Sequence, residues 1–162
     1  MEAAENFEHA AVSYMKVAKK NLATKKFYQD NASYMEAWGR IEKARYFHTR
    51  KQYSQAKEHY EKAADLHKST ERWSYLSPNY LAWARLEEAE DLSRREQTDE
   101  ARDLFQQAAK LFVDAKESIR AKLERIEIRD EREMVTELIK ASDTREEYCH
   151  GRNLLEEAKI LD

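Results

Sequence analysis

The sequence predicts an all-α fold, a solenoid of antiparallel helix hairpins, and three observations predict it. Eleven of the thirty positions from Ala37 to Leu66 recur unchanged 45 residues later, from Ala82 to Leu111. Repeats of that length belong to stacked supersecondary units that bury their apolar faces against one another. Two Gly and one Pro in 162 residues, with 38% charged side chains, are far too few chain-turning residues for a sheet protein and suit long solvated helices. Within each repeat, the apolar residues return with the helical period.

The elements follow from that register. Tyr34, Trp38, Ile41, Ala44 and Phe47 form one stripe, repeated as Trp83, Leu86, Ala89 and Leu92, and define a first helix of each unit. After polar breaks at Thr49 to Lys51 and Arg94 to Thr98, a second stripe runs through Tyr53, Ala56, Tyr60, Ala63, Ala64 and Leu66. Its counterpart is Ala101, Phe105, Ala108, Ala109 and Leu111. Ser77 and Pro78 offer a cap and a first-turn proline to one helix, and Thr98, Asp99 and Glu100 cap another with acids at its positive end. Subtracting 45 places Ala11, Met15 and Ala18 on a preceding second helix, from about Glu5 to Leu22. Adding 95 places Tyr148, Leu155, Ala158 and Leu161 on a further one, with Gly151 in the small-residue place of Ala56. A first helix from about Ile119 to Ala141 precedes it. A turn is expected near Lys116 to Lys122, and Ser142, Asp143 and Thr144, with Glu147 completing a capping box, are expected to open the last helix. The chain reads as one domain, 1–162, with units at about 1–30 (partial), 31–75, 76–118 and 119–162.

Ala56-x3-Tyr60-x2-Ala63 and Ala101-x3-Phe105-x2-Ala108, with Trp38-x2-Ile41 and Trp83-x2-Leu86, resemble the tetratricopeptide repeat. The chain departs from it in its 45-residue period, where the family has 34, and in Glu42 and Glu87 following the aliphatic position. The resemblance implies a right-handed superhelix that holds a peptide or helix on its concave face, an extended variant of the family.

Composition narrows the function. With 29 Lys and Arg against 32 Asp and Glu, a formal net charge of -3, nucleic acid has no general electrostatic reason to bind. The local basic clusters, Lys16, Lys19, Lys20, Lys25 and Lys26 among them, read as solvated helix faces. A single cysteine, Cys149, permits no intrachain disulfide, as in a reducing compartment. No stretch reaches the ~20 apolar residues of a membrane span, and the charged N-terminus lacks a signal-peptide core. The expected protein is cytoplasmic and needs neither cofactor nor metal. Glu147-x2-His150 shares a helix face, yet a carboxylate-bridged metal site needs two such motifs and further glutamates. Cys149 and His150 point about 100° apart and form no dyad.

The expected function is therefore a non-enzymatic interaction scaffold for a protein or peptide partner, using neither nucleic acid nor membrane. Polar residues beside the repeated stripe, Arg45, His48, Thr49, Glu90, Ser93 and Arg94, are the expected contacts. Trp38 and Trp83 belong either to the core or to the groove. Arg40, Arg85, Glu42 and Glu87 are expected to pair between successive first helices. Trp73, Tyr75 and Leu76 either plug a hairpin end or form an apolar contact. The alternative function is a regulatory or oligomerising piece of a longer array, self-associating through uncapped ends.

Overall fold

The helix breaks at 50–52 and 95–97 lie 45 residues apart, where the register places them, and their turn chemistry repeats with the sequence. The computed structural model describes residues 1–161 as six helices: α1 (Glu2–Lys20), α2 (Lys25–Thr49), α3 (Tyr53–Lys68), α4 (Ser77–Arg94), α5 (Thr98–Leu123) and α6 (Arg129–Leu161). A 3-10 turn, Ser74–Leu76, precedes α4. No strand occurs among the described residues. Among the described residues, Lys51 and Glu96, 45 residues apart, are the two non-glycine residues with positive φ, at 58° and 61°. Beyond each, a glutamine N–H reaches back to the same helix position, Gln52 to Phe47 O and Gln97 to Leu92 O, both at 3.0 Å. This is the Schellman closure of a helix end. The same two glutamines are the N-caps of α3 and α5. Thr98, expected as the cap, instead lies inside the first turn of α5, with Asp99 and Glu100 beside it.

The contacts divide the chain into two compact units, Met1–Ser77 and Pro78–Asp162. In the first, α1 lies along α2 and α3 packs on α2. Ala4, Ala11 and Ala18, seven residues apart, are the buried residues of α1, and Ala32 and Gly39 are buried on α2. Small side chains let the two backbones approach: a Cβ built on Gly39 would sit 3.4 Å from the Ala4 carbonyl oxygen and 3.3 Å from Glu8 Cγ. Lys43 reaches the Glu8 carboxylate across the same seam. Ile41, Ala44, Ala56, Tyr60, Ala63 and Ala64 are buried on α2 and α3, the repeated stripe the sequence identifies. The residues before Pro78 are folded inward: Trp73, Tyr75 and Leu76 are buried, and Trp73 stacks on Tyr34 with ring centroids 4.1 Å apart.

In the second unit, Ala82, Leu86, Ala89, Ala101, Phe105, Ala108, Ala109 and Phe112 form the core with Cys149 of α6. Lys116 Nζ donates to Asp143 (2.5 Å) and Glu146 (3.0 Å), joining α5 to α6. Two expectations are corrected here. The turn lies at 124–128 rather than at Lys116 to Lys122, so α5 runs to Leu123. No helix starts at Ser142 to Thr144, because α6 passes straight through them. Ser142 Oγ donates to Leu138 O (2.8 Å) and Thr144 Oγ1 to Lys140 O (3.2 Å). The hydroxyls bond back along their own helix instead of capping a new one.

Candidate interaction surface

α6 carries two opposed faces. Its buried row is Val135, Ser142, Cys149 and Glu156, spaced by seven, with Ile139 beside it. Half of that row is polar, and its Glu156 is held in a network of charged and hydroxyl side chains. Arg152 Nη1 donates to both Glu90 carboxylate oxygens at 2.7 Å and its Nη2 to Ser93 Oγ at 2.8 Å. Tyr148 Oη donates to Glu90 Oε1 (2.5 Å), and Ser93 Oγ donates to Glu156 Oε1 (2.6 Å). Lys159 Nζ then donates to both Glu156 oxygens (2.8 and 3.0 Å). Arg152 also lies over the Phe105 ring, 4.7 Å from its centroid.

Electrostatics keep Arg152 and Glu156 in their charged forms. Burial opposes the Arg152 charge, but Glu90 outweighs it and raises the guanidinium above its ordinary range. Burial alone would lift the Glu156 carboxyl, yet the hydrogen bonds from Lys159 and Ser93 hold it below the usual carboxylate value. The Cys149 thiol is pushed up to about 12 by burial and by the Glu90 charge, so at neutral pH it is a packed thiol and not a nucleophile.

The sequence candidates scatter. Glu90 and Ser93 are buried in the network, so they hold α6 and do not present themselves to a partner. Arg94 is exposed at the end of α4. Arg45 is exposed and pairs with Glu42 at 2.6 Å within α2. Thr49 Oγ1 closes on Tyr46 O, and His48 lies edge-on to Tyr53. Trp38 stacks on Phe7 and meets Tyr34 edge-on. Trp83 meets Phe112 edge-on, with Arg145 over its ring. Within the helices, Arg40 pairs with Glu36, Arg45 with Glu42, and Arg85 with Glu88. Among the described residues no cluster of three His, Cys, Asp or Glu side chains could hold a metal. His150 lies 3.9 Å from Glu146, not beside Glu147.

The structure places outside three residues that the sequence places inside, Leu155, Ala158 and Leu161, and Leu154 lies outside with them. Leu154, Leu155 and Leu161 are 64%, 58% and 81% exposed, and Ala158 is exposed with them. Tyr148 is partly exposed, and nothing lies within 4 Å of a Cβ built on Gly151. Residues 148, 151, 155 and 158 alternate steps of three and four, the seam of a helix made to meet another helix. Glu147 lies beside this stripe and makes no ion pair among the described residues.

A second apolar surface lies in the first unit. Ala11, Val12, Met15, Lys16 and Lys19 of α1 face Ala32, Ser33 and Glu36 of α2 across a groove of about 420 Å³. Val12 and Met15 are 53% and 39% exposed on its floor. Lys16, Lys19 and Lys20 make no ion pair among the described residues, whereas Glu36 is taken by Arg40. Among the described residues no helix is long and apolar enough to cross a membrane. No family model, curated protein or solved structure matches the chain.

Proposed function

We propose that this chain is a non-enzymatic, cytoplasmic interaction scaffold that docks an amphipathic helix of a protein partner against the outer face of α6. The observation that carries this reading is the exposed stripe Leu154, Leu155, Ala158 and Leu161. Isolated apolar side chains on a surface need no explanation, but a contiguous helical row of them does. Completing the burial of three leucines contributes roughly 1–2 kcal/mol each. That is close to the lower estimates of the cost of association, so a partner has to add contacts of its own along the seam. A helix supplies them most directly, because its own side chains repeat at the same three and four spacing. The tetratricopeptide-like repeat supports the wider reading as a binding module. The contacts are moved away from Glu90 and Ser93, which are engaged inside the fold.

A pull-down from source lysate with the full chain tests this. Replacing Leu154 and Leu155 together by Asp is expected to lose captured partners, while Arg45→Glu with Arg94→Glu keeps them. Retention of every partner by the leucine variant, with its helicity intact, overturns the docking face. Loss with the arginine variant instead would restore the repeat-groove residues as contacts.

A further inference from the structure

Resting on that reading, we infer that the helix meeting the outer face of α6 is the α1 of a second copy, and that copies associate head to tail, the outer face of α6 lying in the α1–α2 groove of the next. The two surfaces match in chemistry. The groove offers Val12 and Met15 with Lys16 and Lys19 at its rim; the α6 face offers three exposed leucines with Glu147 beside them. Both sets of charges make no ion pair within the described chain, so each lacks only what the other carries. The lengths also match. Ala11 to Lys19 and Gly151 to Ala158 each extend about 10 to 12 Å along their helix axes. Gly151 sits where the two backbones need to come closest, and Met15 on the opposite surface adapts its shape readily.

Pairing two α6 faces with each other fits less well. It sets acids against acids, and the nearby cations, Arg152 and Lys159, are already bound to Glu90 and Glu156. The head-to-tail contact is heterologous, one face of each kind per copy, so the assembly either closes on itself as a ring or grows as a chain.

Sedimentation of the full chain from about 5 to about 500 µM reads this directly. The weight-average mass is expected to climb from 19.3 kDa with concentration and to fall back in about 0.5 M salt, where exposed charges are screened. Met15→Asp removes the groove and Leu155→Asp removes the tail; each alone is expected to remain near the monomer mass, with an association constant reduced at least about tenfold. Mixed one to one, they form a heterodimer that grows no further, since one intact groove meets one intact tail. Should Met15→Asp fail to fold, Lys16→Glu with Lys19→Glu takes its place. A wild-type chain that is monomeric throughout, a Met15→Asp chain that still self-associates, or a mixture that stays monomeric overturns the head-to-tail contact. The α6 docking face itself falls only if the leucine variant also retains its lysate partners.

Discussion

His67 is fully buried on α3, against the Tyr34 ring at 5.8 Å, and burial lowers its pKa from 6.5 to about 3. The folded protein therefore holds a neutral imidazole through a range where the unfolded chain takes up a proton. The stability tied to the neutral form is present above pH 6.5 and is lost as pH falls from there towards 3. At 1.36 kcal/mol per unit, the loss between pH 7 and pH 5 is about 2 kcal/mol. His59 adds in the same direction, its pKa lowered by burial and then by Arg40, Lys62 and Lys43. Urea unfolding of the wild type at pH 7 and pH 5 is expected to show this difference. His67→Leu keeps the volume and removes the titration, so most of the pH dependence should vanish whatever its effect on absolute stability. An unchanged pH dependence would mean that His67 is not its source.

At the scale of elements, the two glycines make opposite demands. Ala is favoured over Gly inside a helix by about 1 kcal/mol. At Gly151 the added methyl meets nothing within 4 Å, so Gly151→Ala is expected to raise stability by about that amount. At Gly39 the methyl meets the Ala4 carbonyl oxygen at 3.4 Å, Glu8 Cγ at 3.3 Å and Phe7 Cβ at 3.6 Å. The backbone of α1 cannot yield there without moving away from α2, which cancels the gain, and Gly39→Leu should cost upwards of 2 kcal/mol. Thermal melts of Gly151→Ala, Gly39→Ala and Gly39→Leu decide it; equal shifts for the two alanine variants would show that α1 and α2 are not closely packed at Gly39. The close seam was within reach of the sequence, because Ala4, Ala11 and Ala18 repeat every seven residues. The boundary between α5 and α6 was not, since 99–141 contains neither Gly nor Pro. Its serine and threonine hydroxyls serve equally as caps or as back-bonds, and only the surrounding helix chooses.

For the molecule as a whole, the repeat made the hairpin turns legible down to Lys51 and Glu96, but it misassigned the C-terminal face. The apolar pattern of α6 indicated an inner stripe at Leu155, Ala158 and Leu161. The inner row is instead closed by Glu90, Ser93, Arg152 and Glu156, partners about 60 residues apart whose pairing no local pattern encodes. That division of labour predicts a response to salt. Many pairs are exposed and intrahelical, such as Lys26 with Asp30, Arg95 with Asp91, Arg129 with Glu133 and Lys140 with Glu137. Each contributes only about 0.2–0.5 kcal/mol. The pair between Arg152 and the 8%-exposed Glu90 carboxylate is shielded from mobile ions. With a formal net charge of only -3, screening relieves little repulsion either. Raising NaCl from about 0.1 to about 0.5 M should therefore lower the unfolding free energy by less than about 2 kcal/mol, while the same change dissolves the head-to-tail contact, whose Lys16, Lys19 and Glu147 lie in solvent. Urea midpoints and sedimentation on one salt series separate the two effects: a fold that weakens in step with the assembly would place the screened charges inside the units and not between copies.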